Sequence, residues 1–411
     1  MSRCAKHFAP TKKLRRTGFL LCLCVLLSGC GSLSSNGPAP STFVTTGSMG
    51  FSYSGHTATP LNTGEVLIQG GAWGLGVDPN VLNGNGNPTT VTVPEPGCEL
   101  YNPLSGVFST CAELQAPRYY HTATLLQNGK VLIAGGFTLR AGVPPTSLFF
   151  QPTAEIFDSV LGVTSTGDLN TPRADHTATL LNSGMVLIAG GEDATGNFLG
   201  SAELYDPTRG TFISTGSLNV SRAFHTATLL NNGMVLIAGG ESSANSAGSS
   251  AVMISSAELY DPATGKFTLT GSLNTARAVH TASLLNNGTV LFAGGVDANG
   301  GTSDSAEIYD PATEQFAPRG SLSTGRSDHT ATVLNNGSVL IAGGKGSAVL
   351  NSAELYNPAT GLFTTIPASL NTARYSHTAT LLMNGKVLLA GGNGATPSGP
   401  NTYALSSAEL Y

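Results

Sequence analysis

The sequence predicts an all-β protein, a seven-bladed β-propeller with four antiparallel strands in each blade. Three observations support this prediction: a motif His-Thr-Ala-Thr, or a close variant, occurs seven times, a Gly-Gly doublet follows each copy, and a Glu block such as Ala-Glu-Leu-Tyr follows each doublet. Self-similarity at a period near 50 residues is typical of propellers and other repeat folds. The repeat His residues are His56, His121, His176, His225, His280, His329 and His377.

One unit, residues 222–272, predicts the four strands of a blade. Two apolar runs, 226–230 and 235–238, flank Asn231-Asn232-Gly233, a hairpin signal in which Gly supplies the positive φ. Residues 256–260 predict a third strand and 267–270 a fourth, separated by the turn sequence Asp-Pro-Ala-Thr-Gly. Four short strands in a meander, repeated seven times, fit one propeller blade each.

The two ends of the repeat region complete one blade between them. The sequence stops at Tyr411, directly after the third strand of unit seven, whereas residues 42–49 align without gaps to the fourth-strand segment 211–218. We expect the N-terminal strand to close the last blade, which would remove two exposed sheet edges.

The hairpin between the third and fourth strands of blade 1 predicts a disulfide. Pairing Tyr101 with Phe108 places Cys98 opposite Cys111 on one rung of the ladder. The bridge would link two strands of a single blade.

The N-terminal segment has the pattern of a lipoprotein signal. Six basic residues precede a short apolar run, and Leu27-Ser28-Gly29-Cys30 resembles the bacterial lipobox. We predict a signal peptide over residues 1–29, lipidation at Cys30, a polar tether over 30–41 and the propeller over 42–411, on the bacterial cell envelope and either periplasmic or surface-exposed. An ordinary signal peptide is the alternative.

The composition limits the class of partner. With the signal removed, 13 basic residues face 24 acidic ones, so the body carries a net charge near −11. This balance argues against a nucleic-acid backbone as ligand. We expect a monomer that meets the membrane only through its lipid.

The repeat resembles the Kelch family, which forms β-propellers. The resemblance rests on the Gly-Gly doublet, the Glu-Leu-Tyr block and an aromatic residue in the fourth strand, and it covers residues 42–411. The usual Trp of that family is replaced by Val163 in blade 2, which predicts a weaker blade, and by Phe in the others: Phe43, Phe108, Phe212, Phe267, Phe316 and Phe363.

Residues 118–131 are particularly similar to the blades of the galactose oxidase and glyoxal oxidase group. In those enzymes a Tyr-His pair supplies copper ligands, and Tyr120-His121 matches that pair. Imidazole and phenolate suit Cu(II). However, the His recurs in all seven units, so it is first a repeat residue, and we predict neither a cofactor nor a metal site.

Six units also carry Arg three residues before the His, with Tyr53 replacing it in blade 1. We expect Arg, His and the repeat Glu to satisfy one another and the backbone between blades, as buried charges must. A ring of His residues that holds a metal or anion is the alternative. The Arg residues are Arg118, Arg173, Arg222, Arg277, Arg326 and Arg374.

Variation is concentrated in the connections between second and third strands, which span 26 residues in blade 1 (72–97) but only 8 in blade 6. Long loops on a rigid ring are common binding sites. The 72–97 connection carries Trp73, Asp78 and Asn85, which could stack on a sugar and bond to it, although an ordinary surface loop explains them too.

We therefore predict a non-enzymatic binding or scaffold module for a protein or glycan. The alternative is a galactose oxidase-like or other carbohydrate-active propeller enzyme. The candidate ligand-binding residues are Trp73, Asp78, Asn85, Arg118, Tyr120 and His121.

Overall fold

The computed structural model describes residues 42–82, 88–139, 148–243, 251–395 and 402–411. The predicted signal peptide, Cys30 and the tether lie outside these residues. All regular structure in the described part of the chain is β-strand, and no helix there is long and apolar enough to span a membrane.

The fold is a seven-bladed β-propeller with four antiparallel strands per blade, as predicted. In each blade the first strand is innermost and the fourth outermost. The strands of blades 1 to 4 are Thr57–Pro60, Val66–Gln69, Cys98–Asn102 and Val107–Thr110; Thr122–Leu125, Val131–Ala134, Ala154–Asp158 and Gly162–Ser165; Thr177–Leu180, Val186–Ala189, Ala202–Asp206 and Thr211–Ser214; and Thr226–Leu229, Val235–Ala238, Ala257–Asp261 and Lys266–Leu269.

The strands of blades 5 to 7 are Thr281–Leu284, Val290–Ala293, Ser305–Asp310 and Gln315–Ser321; Thr330–Val333, Val339–Ala342, Ala353–Asn357 and Leu362–Thr365; and Thr378–Leu381, Val387–Ala390, Ala408–Leu410 and Val44–Thr45. Because the strands alternate in direction, the connections lie on two faces. We call the face where the first strands begin, and where the second-to-third connections emerge, the upper face. The first-to-second and third-to-fourth turns lie on the lower face.

The N-terminal strand closes the ring as predicted. Val44 pairs with Leu410 and Thr45 with Glu409, which makes Val44–Thr45 the fourth strand of blade 7. Phe43 is buried beside it, with its ring centroid 5.0 Å from that of Tyr411.

Among the described residues the hydrophobic core consists of seven clusters, each lying between two neighbouring blades. The second strands are buried along their whole length because both faces of these strands pack against other blades. The cluster between blades 3 and 4, for example, joins Leu187 and Ala189 to Val235, Ile237 and Tyr260. Stability therefore depends on contacts between blades.

The Phe of the fourth strand stacks on the Tyr of the third. The Tyr260 and Phe267 centroids are 4.7 Å apart, and the Tyr260 hydroxyl hydrogen-bonds Thr215 of the preceding connection at 2.9 Å. Blade 2 has Phe157 opposite Val163, so it lacks both the aromatic pair and this hydroxyl.

The disulfide is present in the predicted register. Tyr101 pairs with Phe108, and Cys98 and Cys111 form a disulfide. The Cα atoms of these two Cys residues are 5.1 Å apart. The bridge links the third strand of blade 1 to the residue that follows its fourth strand.

The long connections form hairpins, which the sequence analysis did not predict. Ala72–Leu82 pairs with Pro88–Pro94 in blade 1, so most of the 72–97 connection is a two-stranded ribbon and not an irregular loop. Shorter ribbons occupy the same place in blades 2, 4 and 7: Phe137–Leu139 with Leu148–Phe150, Glu241–Ser243 with Ala251–Met253, and Asn393–Ala395 with Thr402–Ala404. In blade 5, Arg277–Ala278 pairs with Val296–Asp297.

Candidate functional site

Each of the six repeat Arg residues forms a fully buried ion pair with the repeat Glu of its own blade. In blade 4, Arg222 Nη2 donates to Glu258 Oε1 at 2.9 Å, and Nη1 donates to the carbonyl oxygens of Gly239 and Ser256. Five of the pairs are 2.8 to 2.9 Å long, and the sixth joins Arg118 to Glu155.

The same carboxylates fix the chain where it passes from one blade to the next. Glu258 accepts bonds from the backbone N–H groups of Asn219 and Val220 at 2.7 and 3.0 Å, and from the Asn219 amide. The carboxylate therefore joins its own blade to the linker from the preceding blade. Such charge-assisted bonds offset the cost of burying both ions.

The repeat His residues do not join these ion pairs, so that part of the prediction was wrong. Each His Nε2 hydrogen-bonds the first Thr of the preceding blade, as His225 does with Thr177 at 3.0 Å. His56 of blade 1 bonds Thr378 of blade 7 at 3.0 Å, which closes a circle of seven bonds around the axis. The other five are 3.0 to 3.1 Å long.

Burial keeps these imidazoles neutral. Desolvation, followed by the charge of Arg374, lowers the pKa of His56 to about 4, and desolvation followed by Arg173 lowers the pKa of His176 to about 3. Each ring is therefore held by one Thr hydroxyl at Nε2, and its Nδ1 is buried without a hydrogen-bond partner among the residues that the structure describes.

The residues present do not fit the copper centre that the Tyr120-His121 pair implied. His121 Nε2 is bonded to Thr57 at 3.1 Å, and Cys98 and Cys111 are committed to their disulfide, which leaves neither of them free for a Tyr-Cys crosslink. In the described part of the chain, no three His, Cys, Asp or Glu residues come together as a metal site.

The residue before each repeat His is the variable position of the motif, and all seven have a left-handed backbone. The φ angles range from 50° to 59°, a conformation that costs free energy for a side chain other than Gly. These residues, which we call the mouth ring, surround the axis on the upper face: Gly55, Tyr120, Asp175, Phe224, Val279, Asp328 and Ser376.

Backbone hydrogen bonds link neighbouring members of the mouth ring. The N–H of Asp175 donates to the carbonyl of Tyr120 at 3.4 Å, Phe224 to Asp175 at 3.3 Å, Val279 to Phe224 at 3.1 Å, and Ser376 to Asp328 at 2.9 Å. These bonds explain how the strained backbone is held. The mouth ring carries six side chains of five types around one opening, since Gly55 has none and Asp occurs at both 175 and 328.

Aromatic side chains occupy the part of the mouth above blades 1 and 2. The Tyr119 and Tyr120 centroids are 3.9 Å apart, and Phe137 lies 5.3 Å from Tyr119. A Cβ atom on Gly55 would overlap the Tyr119 ring, so Gly at this position makes room for it. Both Tyr rings are half-buried.

Acidic side chains occupy the part above blades 3 and 4. Glu192 and Glu241 follow the Gly-Gly doublets of these blades, and their backbones bridge to Ala174 and Ala223, the neighbours of Asp175 and Phe224. Desolvation, then the charges of Glu192 and Glu241, raises the pKa of Asp175 well above its ordinary value. Desolvation also raises the pKa values of Glu192 and Glu241.

The structure separates the six predicted ligand-binding residues. Tyr120 lies in the mouth ring, His121 is buried beneath it, and Arg118 is fully buried against Glu155. Trp73 and Asp78 lie on the first strand of the blade 1 ribbon, where only the backbone is described, and Asn85 lies outside the described residues.

Sequence reasoning missed Tyr119, Phe137, Asp175, Glu192 and Glu241 as mouth residues. Their signal was present, because they occupy the few positions that differ between otherwise constant repeats. We expected long connections to mark the site and did not use the variation inside the motif itself.

The chain is a seven-bladed β-propeller whose repeats are of the Kelch type. Residues 211–392 match the family model of the KLHDC2/KLHL20/DRC7 Kelch-repeats domain. Beta-scruin of Limulus polyphemus is 30% identical over 95 residues, which is 22% of this chain and 10% of that protein. The chain thus aligns with only about a tenth of that relative.

A solved structure shares the fold. It is a fungal alcohol oxidase of the AA5 family in complex with copper, with a TM-score of 0.64 and 17% identity over 90% of this chain and 75% of that one. At 17% identity the similarity shows a shared fold. Whether this chain has copper ligands depends on its own residues, which do not fit a copper centre.

Blade 1 allows a direct test of the buried ion pairs, since Glu99 has Tyr53 in place of an Arg. Its carboxylate accepts the N–H groups of Gly50 and Phe51 at 3.0 and 3.2 Å, the same linker bonds that Glu258 accepts in blade 4. We expect Glu258→Gln to lower the free energy of unfolding by about 3 kcal/mol, because it leaves Arg222 as a buried unpaired charge. Glu99→Gln should cost about 1 kcal/mol. Urea denaturation of both variants measures the difference, and equal costs would contradict the argument.

Proposed function

We propose that this chain is a lipid-anchored propeller of the bacterial cell envelope, tethered through Cys30, that binds a protein or glycan ligand without catalysing a reaction. The proposal takes the upper face, and above all the mouth ring, as the binding surface. A Kelch propeller is a general binding scaffold, and the identity of the ligand depends on side chains that differ from blade to blade.

One observation supports the mouth most strongly: the constant polar residues form the contacts that hold the blades together, whereas the side chains at the opening differ from blade to blade. The repeat Arg and Glu side chains form ion pairs within each blade. Each repeat His bonds a Thr of the preceding blade through Nε2, as His225 does with Thr177, whereas its Nδ1 is buried without a hydrogen-bond partner among the described residues. The variable residues Tyr120 and Asp175 are half-buried at the opening, on a backbone held by neighbouring blades. Side chains held in fixed positions in this way are typical of ligand sites.

The chemistry of the mouth suits a ligand with both an apolar face and hydrogen-bond donors. Tyr119, Tyr120 and Phe137 provide aromatic surface for stacking, and Asp175 and Glu241 provide acceptors on the neighbouring blades. A sugar ring or a peptide side chain has this combination. The ribbon of blade 1 emerges on the same face and would extend the contact surface.

A binding screen against glycans and envelope proteins tests the proposal. We expect Tyr120→Ser, which introduces the residue found at the same position in blade 7, to weaken a ligand of the mouth at least about tenfold, equivalent to about 1.4 kcal/mol. Shortening the blade 1 ribbon to the eight-residue connection of blade 6 tests the second part of the surface. Binding that is unchanged in both variants would exclude this face.

Metal analysis tests the oxidase alternative. We expect no stoichiometric copper in the purified chain after exposure to Cu(II), because His121 Nε2 is bonded to Thr57 and both described Cys residues form a disulfide. Stoichiometric copper that is lost on Tyr120→Phe or His121→Gln would instead support an oxidase.

A further inference from the structure

Exposed apolar side chains gather at the lower-face turns of blades 1 and 2. Leu104 in the third-to-fourth turn of blade 1 is 97% exposed, and Val160 and Leu161 in the same turn of blade 2 are 86% and 72% exposed. Val107, directly after the blade 1 turn, is also exposed. None of these side chains contributes to the hydrophobic clusters between blades.

The same turns in blades 3, 4 and 5 are polar. The blade 3 turn contains Thr208 and Arg209, and the blade 4 turn contains Thr264 and is followed by Lys266. The blade 5 turn ends with Glu314, and all five side chains are exposed. Because the backbone turn is common to all the blades, its geometry does not require the Leu and Val residues. The exposed residues of the third-to-fourth turns therefore differ around the lower edge: they include apolar side chains in blades 1 and 2 and are polar or charged in blades 3 to 5.

The chain enters the propeller on the apolar side. Val44–Thr45 begins the fourth strand of blade 7 at the lower face, between blade 6 and blade 1. Exposed apolar side chains continue around this point, with Met383 of blade 7 77% exposed and Leu362 of blade 6 61% exposed. Eleven residues separate Cys30 from Thr42, a reach of at most about 36 to 40 Å.

We propose that the lower-face turns of blades 1 and 2 dock on the lipid bilayer, with Leu104, Val160 and Leu161 entering its interface, so that the chain meets the membrane through this edge and not through its lipid alone, as the sequence had led us to expect. This inference rests on the proposed lipid anchor at Cys30, because a tether of this length keeps the apolar edge close to the membrane and raises its effective concentration there. The bilayer is favoured over a protein partner because the exposed side chains flank the point where the tether joins the fold. Docking in this way turns the mouth ring away from the membrane, toward a ligand.

Tryptophan fluorescence tests the docking in the lipidated full chain. In a Trp73→Phe background, Leu104→Trp reports on the apolar edge, and Thr208→Trp, at the same turn position in blade 3, is the matched control. In vesicles of phosphatidylethanolamine and phosphatidylglycerol we expect a blue-shifted emission for Leu104→Trp that brominated lipids quench. Thr208→Trp should show neither effect. Identical, unquenched emission from both variants in protein that sediments with the vesicles would overturn the docking.

A second measurement separates docking from anchoring. A chain that begins at Gly31, and so carries neither the predicted signal peptide nor the lipid, should still associate weakly with the same vesicles, and replacing Leu104, Val160 and Leu161 together by Ser should reduce that association at least tenfold. Thr208→Ser serves as the matched control. Unchanged association, or an apolar edge that instead mediates self-association measured by sedimentation, would overturn the proposal. If the mature chain carried no lipid on Cys30, the proposed lipid anchor would be refuted. The vesicle comparison would still show whether Leu104, Val160 and Leu161 bind the bilayer.

Discussion

Replacing residues 42–49 with a Gly-Ser segment of equal length is expected to lower the free energy of unfolding by more than about 5 kcal/mol. Phe43 and Met49 are both buried, in the clusters on either side of blade 7. Truncating one large core side chain costs about 3 to 5 kcal/mol. The replacement removes two of them, together with the backbone bonds to the Ala408–Leu410 strand. Urea denaturation measures the loss.

The single variant Phe43→Ala separates side-chain packing from ring closure. Its matched control is Phe267→Ala, at the same position in blade 4, where the fourth strand is covalently continuous with the third. We expect Phe43→Ala to cost more. Once its anchor is lost, the N-terminal strand is free to detach, whereas the turn of blade 4 holds its strand in place. Equal costs would mean that the closing strand does not detach separately.

A circular permutant tests closure in the opposite direction. Joining Tyr411 to Thr42 through Asp-Pro-Ala-Thr-Gly reproduces the turn that links Tyr260 to Phe267, and new termini fit between Glu241–Ser243 and Ala251–Met253. We expect this protein to be at least as stable as the parent, because the closing strand is then held by a covalent turn. A permutant that fails to fold would argue that closure needs the natural end of the chain.

The architecture could be predicted well from the sequence because the same pattern of strands and turns occurs in seven copies. Strand pairing, the closing strand and the rung of Cys98 and Cys111 all follow from aligning one unit with the next. The ribbon over 72–94 was missed because it occurs outside the repeat and has no second long copy with which to align it. Its strands are also interrupted by register shifts, which weaken the alternation that marks a strand.

The candidate site was harder to predict because its residues are separated in sequence and meet only through the ring. Asp175 and Glu241 are 66 positions apart but are brought together by adjacent blades. The partners of the repeat His residues were hard to predict for the same reason: His56, for example, bonds Thr378 at the other end of the chain. Motif spacing shows that the His is constant, whereas its partner becomes visible only when neighbouring blades pack.

Lowering the pH from 7 to 5 is expected to remove most of the stability of the propeller. In the folded state the pKa of His56 is lowered to about 4 and those of His176 and His329 to about 3, below the ordinary value near 6.5. The unfolded chain therefore binds protons that the folded one does not, and stability that is complete above about pH 6.5 is lost as the pH falls toward 4.

The size of the effect follows from the number of His residues. One His that stays neutral when folded loses about 2 kcal/mol of stabilisation between pH 7 and 5, so the seven buried rings together approach about 13 kcal/mol. That is comparable to the whole stability of a typical domain. Asp175 and Glu192 act in the opposite direction, because burial raises their pKa values and the folded state therefore takes up protons on these carboxylates more readily than the unfolded chain does.

Proton uptake on unfolding distinguishes this mechanism from general acid instability. Between pH 6 and 5 the slope of the unfolding free energy should approach about 1.4 kcal/mol per pH unit for each buried His, reduced by the acidic residues. His225→Gln, which keeps a hydrogen-bonding group near Thr177, should lower the slope by about one such step. A slope that stays shallow in the parent, or that does not change in the variant, would mean that the imidazoles accept protons within the folded ring.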